Sequence, residues 1–462
     1  MTDTPASQEN MFLAGSLPVL FAKTASPIIL IMLLNGLFAL VDAWFIGVFV
    51  GAEALTGVTL MFPVYMLLVA LSGLVSSGLS SIYARLLGAK KLVQAGVVYG
   101  QAVFLAIIVC ISLILLFLSG GQSLTLQIAN GTTSLADFGY SYISILIFCS
   151  PVIFLLAINI DALRCEGLLQ AMAAISIASA LLNIGFDYLF VVEMGWGVAG
   201  SAWGTVLANT CSLIAIIVYR LTGKSSPVFH FSNITFGWSH WRDLLALGAP
   251  ASLGYIGISL SAGLTLYCLQ IWSGDSYEAT AGAYGIITRL MTFTFMPLLG
   301  LSTAFQTIAG NNYGAKAWHR SDQSLRAALV LAILYCVAIQ TGFYLSRDVI
   351  GAVFVNDPAI IKEVSRILPL ATFLLFLFGP LMMISTWFQA IGDAGRAALL
   401  GLSRTYLFAL PLTFALPFVF GEPGIWYGGI VAEMLVLMLT IMVLRRRARK
   451  QGHAWGLFHK SA

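Results

Sequence analysis

The chain has 462 residues, of which 59% are hydrophobic and only 9% are charged. A soluble domain carries roughly 25% charged residues, so this composition excludes a soluble protein and indicates an integral membrane protein. The net charge of +4 comes from basic residues beside the apolar runs, a pattern that does not indicate a nucleic-acid partner.

Apolar runs long enough to cross a bilayer recur along the whole chain. A hydrocarbon core of roughly 30 Å needs about 20 apolar residues in a helix, and twelve runs satisfy this requirement. The first six lie near 24–50, 54–80, 93–118, 138–160, 168–191 and 196–219. The second six lie near 245–271, 280–308, 325–345, 365–391, 397–420 and 425–444. Because the runs are continuously apolar and exceed the roughly ten alternating residues of a barrel strand, they predict an all-α membrane protein of twelve transmembrane helices.

Lysine and arginine residues collect in alternate connections, which predicts the orientation in the membrane. With the N-terminus in the cytoplasm, the cytoplasmic side holds Arg85, Lys90, Lys91, Arg164, Arg220, Lys224, Arg242, Lys316, Arg320, Arg326, Arg396, Arg445, Arg446, Arg447, Arg449 and Lys450. The other side holds mainly acids, and only the loop around Arg347, Lys362 and Arg366 is mixed. We therefore predict a multi-pass protein of the cell inner membrane with both termini in the cytoplasm.

The longest polar interruption divides the chain into two halves of six spans each. We predict an N-lobe at 1–220, a cytoplasmic linker at 221–242, a C-lobe at 243–445 and a basic cytoplasmic tail at 446–462.

The two halves also resemble each other at an offset of about 223–227 residues. GLVSSGLSSIYARLLGAK, beginning at Gly73, matches GLSTAFQTIAGNNYGAK, beginning at Gly300, and Pro27 aligns with Pro250. Since six spans is an even number, both halves enter the membrane in the same orientation. This is a parallel repeat, which many secondary transporters use for alternating access.

Asp42 lies deep inside the first apolar run. A carboxylate in the bilayer core costs at least about 2.5–3.5 kcal/mol on insertion scales, so intramembrane acids indicate functional sites. Asp42 maps onto Thr265 in the second half, and Asp187 maps onto Phe414. Because duplication explains shared packing residues, these two unshared acids are the better candidates for chemistry. The alternative is that Asp42 is a packing charge with satisfied partners.

Depth groups these acids with two further polar residues. At 1.5 Å per residue, Asp42 lies about 13 Å and Asp187 about 9 Å below the outer surface. Asn183 shares a helix face with Asp187 because the two are four residues apart, and Thr205 lies about as deep as Asp42. These oxygens could bind Na⁺, or the two acids could share a proton because both cannot easily ionise in a low dielectric. Alternatively, Asn183 and Thr205 bond only to backbone within their own half.

The second half has three charged residues of its own within apolar runs, Arg289, Arg404 and Glu433. We interpret Arg404 and Glu433 as structural, either as an ion pair or as groups that satisfy the backbone. Arg289 could line a central cavity.

Several motifs together resemble the multidrug and toxic compound extrusion (MATE) transporters over nearly the full length of the chain. They are VDAWFIG, GLVSSGLSSIYARLLGAK, LLNIGFDYLF, GWGVAGSAWGT, GNNYGAK and QAIGDAGR, in the expected order. The resemblance implies two six-helix lobes with a central cleft. It also implies export of small organic, often cationic, compounds in exchange for H⁺ or Na⁺.

The branch that the chain resembles is that of the DNA-damage-inducible (DinF-like) and archaeal members. The residues that fall on the N-lobe cation or proton site of this branch are Asp42, Asn183, Asp187 and Thr205. Pro27 falls on the proline where the first helix is thought to bend, and proline kinks a helix because it removes a backbone hydrogen bond.

Two positions depart from the family pattern. Phe38, a candidate cleft-lining residue, stands where a tyrosine often precedes the acid, so the pocket loses one hydroxyl. The seventh helix, ASLGYIGISLSAGLTLYCL, has no acid, which argues against the C-lobe Na⁺ site of another branch.

We therefore predict an ion-coupled exporter rather than an enzyme, acting as a monomer in contact with membrane lipid and without a cofactor. The six cysteines have no metal-ligand spacing. One alternative is a lipid-linked saccharide flippase of the same superfamily, which would be expected to have a cationic cleft. A membrane-embedded enzyme is a second alternative, but the loops contain no HExxH, GxSxG or paired His/Asp cluster.

Overall fold

The computed structural model describes residues 10–222, 237–451 and 455–458. Within these residues, ten helices are each long and apolar enough to cross a membrane, and two bent helix pairs bring the number of spans to twelve. The prediction of an all-α membrane protein with twelve transmembrane helices is confirmed. Lys224, most of the predicted linker 221–242 and parts of the predicted tail 446–462 lie outside the described residues.

The spans are numbered α1 to α12 in chain order. The first half contains α1 (Leu17–Val50), α2 (Phe62–Gly88), α3 (Leu92–Ile128), α4 (Thr133–Phe148 with Ser150–Cys165), α5 (Leu169–Glu193) and α6 (Gly197–Leu221). The second half contains α7 (Trp241–Trp272), α8 (Gly274–Gly314), α9 (Trp318–Val353), α10 (Pro358–Ala371 with Leu375–Ala390), α11 (Ala394–Phe420) and α12 (Pro423–Lys450).

The run predicted as one span at 54–80 is interrupted near its start. A short helix, Ala52–Leu60, ends before Met61, and α2 then begins at Phe62. Pro63 stands in the first turn of α2. Proline is tolerated there because the first N–H groups of a helix have no partner within the helix. Pro63 therefore explains why a new helix begins inside an apolar run.

Two spans are bent at corresponding places in the two halves. α4 bends by 54° between Phe148 and Ser150, and α10 bends by 47° between Ala371 and Leu375. The two breaks are separated by the same offset as the repeated motifs, so the duplication is visible in helix geometry as well as in sequence.

The chain divides into two compact units. The first consists of Met1–Ser252 and Gly310–Lys316, and thus contains α1 to α6, the start of α7 and the end of α8. The second consists of Leu253–Ala309 and Ala317–Ala462.

Within the first unit, α2 meets the end of α8 at two glycines that correspond in the repeat. A Cβ atom at Gly88 would overlap the carbonyl of Asn311, and a Cβ atom at Gly314 would overlap the carbonyl of Arg85. Glycine therefore lets the two backbones touch at both positions, as small residues do at close helix crossings.

A buried polar network lies where α2, α4 and α6 end in the first unit. Nη1 of Arg220 and Oε1 of Glu166 are 3.1 Å apart, and their side chains are 2% and 0% exposed. The Tyr83 hydroxyl donates to the same Glu166 oxygen at 2.8 Å. A buried ion pair is tolerated only when further hydrogen bonds offset the desolvation of its charges, and Tyr83 supplies one of them.

Of the two alternatives for Arg404 and Glu433, the second unit contains the ion pair. Nε of Arg404 lies 3.0 Å from Oε1 of Glu433, and Nη2 donates to Oε2 at 3.1 Å. The guanidinium carbon also lies 3.9 Å from the ring centroid of Phe378, a cation–π contact. Arg289, in contrast, is exposed on α8.

Candidate functional site

Asp42 and Asp187 each stand shortly before a widened helical turn. Ile46–Val50 at the end of α1 and Tyr188–Glu193 at the end of α5 are π-helical. Such turns are frequent at functional sites, because they change the direction of side chains within an otherwise regular helix. The two π-helical turns therefore agree with a functional site near the ends of α1 and α5.

These two acids lie close enough for their charges to interact. Asp187 is 0% exposed, and neither of its carboxyl oxygens accepts a hydrogen bond from any described residue. Asp42 is half-buried and accepts a hydrogen bond from the hydroxyl of Ser201 on α6. The ion pairs of the described part of the chain involve neither acid. The two acids therefore share a site in which no basic side chain balances their charge.

The structure also joins the other two predicted site residues. Nδ2 of Asn183 on α5 donates to the Thr205 hydroxyl on α6 at 3.2 Å. The alternative that both side chains bond only to backbone is wrong, because they bond to each other across the two helices. One turn further along, the Ser179 hydroxyl lies 3.5 Å from Oδ1 of Asn209, a longer contact.

These two contacts lie at successive turns of the α5–α6 interface. Residues four apart on a helix lie on one face, so Asp187 on α5 and Ser201 on α6 occupy the next turn of the same two faces. We call this series the polar ladder; its two contacting pairs are Ser179 with Asn209 and Asn183 with Thr205, and it ends at Asp187 and Ser201.

Two glycines of α6 allow it to approach α5 closely beside the acids. A Cβ atom on Gly204 would overlap Oδ1 of Asp187. A Cβ atom on Gly200 would lie 3.0 Å from the carbonyl oxygen of Phe190. Glycines four residues apart are typical of helices that pack backbone to backbone in membranes. Gly204 therefore leaves the space that the Asp187 carboxyl occupies.

Phenol and apolar side chains surround the acids on other helices. Tyr65 of α2 and Tyr142 of α4 lie near enough to Asp42 to interact with its charge. A buried apolar cluster of Ile46, Ala54 and Val198, against which Tyr142 packs, lies one turn further toward the end of α1.

The remaining predicted residues have less specific surroundings. Phe38 is half-buried on α1, four residues before Asp42 and therefore on the same helix face. Pro27 lies inside the continuous helix Leu17–Phe45, and Arg289 belongs to the second unit. A hinge role for Pro27 and a cleft-lining role for Phe38 and Arg289 stay predictions.

Four residues near the acids were not predicted from the sequence. Ser201 and Gly204 carry a signal that could have identified them, since Ser201 precedes Thr205 by one turn and Gly204 follows Gly200 by one turn. Tyr65 and Tyr142 lie on other helices, and no spacing in the sequence relates them to the acids.

The donor set of the site consists of oxygen atoms only. Among the described residues, no group of three or more His, Cys, Asp and Glu side chains could hold a metal ion, and all six cysteines are free. Two carboxyls with neighbouring hydroxyl and carboxamide oxygens are chemically suited to a proton or to a hard monovalent cation.

Twelve membrane-spanning helices in two corresponding halves are the architecture of many membrane transporters. The MatE family model matches residues 27–189 and 253–415. The two matches begin 226 residues apart (253 − 27), within the offset predicted from the repeated motifs. Since they cover more than half of the chain, the protein belongs to the MatE family.

Curated relatives match along almost their whole length. The chain is 23% identical over 429 residues to the multidrug export protein MepA of Staphylococcus aureus (strain NCTC 8325 / PS 47), covering 91% of this chain and 92% of that protein. It is 23% identical over 425 residues to MepA of Staphylococcus saprophyticus, with the same coverage.

Solved structures show the same fold. A MATE in the bent conformation superposes with a TM-score of 0.87 at 21% identity, covering 96% of this chain and 98% of that chain. A MOP superfamily transporter from Pyrococcus furiosus gives 0.86 at 21% identity, covering 98% and 100%. An outward-facing multidrug resistance MATE transporter gives 0.86 at 22% identity, covering 97% and 99%. Membership of the DinF-like branch stays a prediction.

Proposed function

We propose that this protein exports small organic compounds, many of them cationic, in exchange for H⁺ or Na⁺ bound by Asp42 and Asp187. The observation that supports this best is Asp187, an acid that is wholly buried without a described donor and lies near enough to Asp42 for the two charges to interact. The names of the MepA relatives, multidrug export proteins, agree with a multidrug substrate range.

The physical reason is electrostatic. Two ionised carboxylates that lie near each other in a medium of low dielectric repel each other strongly. One charge must be neutralised by a proton or balanced by a cation, and no described basic side chain forms an ion pair with either acid. The ion that completes this site comes from solution, so its binding depends on the gradient across the membrane.

Ion binding and substrate binding then exclude each other in alternating access. In one conformation the ion occupies the acid pair and the substrate leaves; in the other the ion leaves and the substrate enters. The difference in ion affinity between the two conformations determines how strongly the gradient drives export. The two repeat halves are the elements that rearrange.

Pro27 is the proposed hinge of α1. Proline has no N–H to donate to the carbonyl four residues earlier, which is that of Lys23. A bend there would move the rest of α1, including Asp42. Solved MATE structures in the bent and the straight conformation both resemble this fold, with TM-scores of 0.87 and 0.85. Replacement of Pro27 by Ala should leave a folded protein with reduced export.

The orientation follows from charge. We place the helix ends that carry Arg85, Arg164 and Arg220 in the cytoplasm, by the positive-inside rule. Both termini then lie in the cytoplasm. The proposal also places the protein in the cell inner membrane, with a monomer as the functional unit. Labelling of single introduced cysteines with an impermeant reagent in intact cells tests this orientation.

The central test is export by purified protein in lipid vesicles under a pH gradient alone and under a Na⁺ gradient alone. Asp42→Asn and Asp187→Asn should abolish gradient-driven dye transport while the protein elutes as a folded monomer. Asp137→Asn is the matched control, because Asp137 is exposed at the start of α4, and it should transport normally. Normal transport by Asp42→Asn would refute the assignment, and the gradient that suffices identifies the coupling ion.

A further inference from the structure

Ser201 is the one described residue whose hydroxyl donates to the acid pair. It is 0% exposed and donates to Oδ1 of Asp42, whereas both carboxyl oxygens of Asp187 lack a described donor. The two acids therefore differ in their surroundings although their charges interact. A hydrogen bond to a carboxylate favours its charged form, and burial without a donor disfavours that form.

The sequence gives a reason for a hydroxyl at this position. Phe38 lies on the same face of α1 as Asp42 and one turn before it. A phenylalanine cannot donate a hydrogen bond. Ser201 approaches Asp42 from α6 instead, so the acid keeps a hydroxyl donor from another helix.

We propose that Ser201 is a positioning residue of the coupling site, which supplies the hydroxyl that Phe38 lacks and keeps Asp42 as the charged member of the acid pair. Asp187, which is buried without a described donor, is then the member that takes up the proton. This inference rests on the proposed function, because it assigns roles within the same coupling site.

Other ionisable groups near the pair are phenols. Tyr65 of α2 lies near enough to interact with the charge of Asp42, and Tyr142 of α4 with the charges of both acids. The ladder residues of α6 are not ionisable. A change in the ion dependence of transport after substitution of Ser201 alone is therefore a change in the stabilisation of the carboxyl pair.

The experiment measures export in lipid vesicles as a function of pH without Na⁺, and as a function of Na⁺ at fixed pH. Ser201→Ala should shift the pH of half-maximal export upward by about one unit or more, since a hydrogen bond to a charged group is lost. If Na⁺ is the coupling ion, the Na⁺ concentration for half-maximal export should rise about tenfold instead. Ser201→Cys, whose thiol is a weak donor, should shift the same midpoint and serves if the alanine variant does not fold.

Restoring a hydroxyl separates positioning from packing. Ser201→Thr, or the double variant Ser201→Ala with Phe38→Tyr, should return the midpoint toward that of the natural protein. An unchanged midpoint in folded Ser201→Ala would overturn the proposal, as would a shift that neither hydroxyl-restoring variant reverses. Transport by Asp42→Asn separates the role of Ser201 from the proposed function. If Asp42→Asn is inactive and Ser201→Ala has the same midpoint as the natural protein, the role proposed for Ser201 fails and the proposed function stands.

Discussion

Gly204 on α6 lies directly against the carboxyl group of Asp187 on α5, so that a Cβ atom at position 204 would overlap Oδ1 of the acid. The smallest side chain and a buried ionisable group thus share one space. Gly204→Ala should displace Asp187 from Asp42 and reduce gradient-driven export at least about tenfold, since misplacement of a functional group by a fraction of an ångström is costly. Export by purified protein in vesicles measures the effect.

The matched control for this change is Gly185→Ala. Gly185 also lies in a helical segment beside the acid, but a Cβ atom there has no heavy atom within 4 Å, so normal export is expected. Equal losses in both variants would indicate that alanine disturbs α5–α6 packing in general, and would contradict a specific role of Gly204.

The Asn183–Thr205 hydrogen bond should couple the two residues energetically. Asn183→Ala and Thr205→Ala each remove the same 3.2 Å contact, so the double variant should lose little more than either single one. A coupling free energy of about 1 kcal/mol is expected from a double-mutant cycle on equilibrium unfolding in micelles. The Ser179–Asn209 contact, at 3.5 Å, should give a smaller value, and strictly additive losses at Asn183 and Thr205 would show that their bond contributes nothing.

The Arg220–Glu166 pair should contribute to stability rather than to ion coupling. Glu166→Gln removes a charge beside a buried guanidinium whose side chain is 2% exposed, and should cost about 3–5 kcal/mol of unfolding free energy. Combining it with Arg220→Met should recover part of this loss, because the charge without a carboxylate partner is then absent. Asp348→Asn, at a pair with 39% and 69% exposed side chains, should change stability far less, because solvent screens an exposed ion pair. Similar losses at the buried and the exposed pair would contradict the argument.

The Arg404–Glu433 pair tests whether a charged pair of the second unit stabilises the fold or takes part in transport. Glu433→Gln should lower the unfolding free energy by about 1–3 kcal/mol, because a hydrogen-bonded charge pair with 19% and 15% exposed side chains loses one charge. Export per folded molecule should stay unchanged in vesicles, since the pair lies in the second unit and the acid site in the first. A stable Glu433→Gln variant without export would show that this pair takes part in transport.

The fold was predictable because the membrane restricts what a spanning segment can be. An apolar run of about 20 residues in lipid must satisfy its backbone internally, so it must be helical. The interruption at Met61 was not predicted, although Pro63 is visible in the sequence. Apolar character continues across the break, and hydropathy alone does not resolve where one helix ends and another begins.

The site was predictable in part, for a similar reason. Buried acids are expensive in lipid, which made Asp42 and Asp187 conspicuous, and helical spacing added Asn183. Ser201 was missed because a hydroxyl has a small insertion cost and forms hydrogen bonds in many membrane helices without a functional role. Tyr65 and Tyr142 depend on how α2 and α4 pack against α1 and α5, which is a tertiary property.

The polar ladder has a consequence for which changes the chain can tolerate. Each residue advances an α-helix by about 100°, so a single insertion between Ser201 and Asn209 would turn every later position of α6 away from α5. A deletion between Ser179 and Asp187 would likewise turn the later positions of α5 away from α6. Point substitutions in these two segments should each weaken single contacts, whereas a change of length rotates half of the α5–α6 interface toward lipid. The number of residues between successive positions of the polar ladder therefore matters to the site as much as the chemistry of those residues.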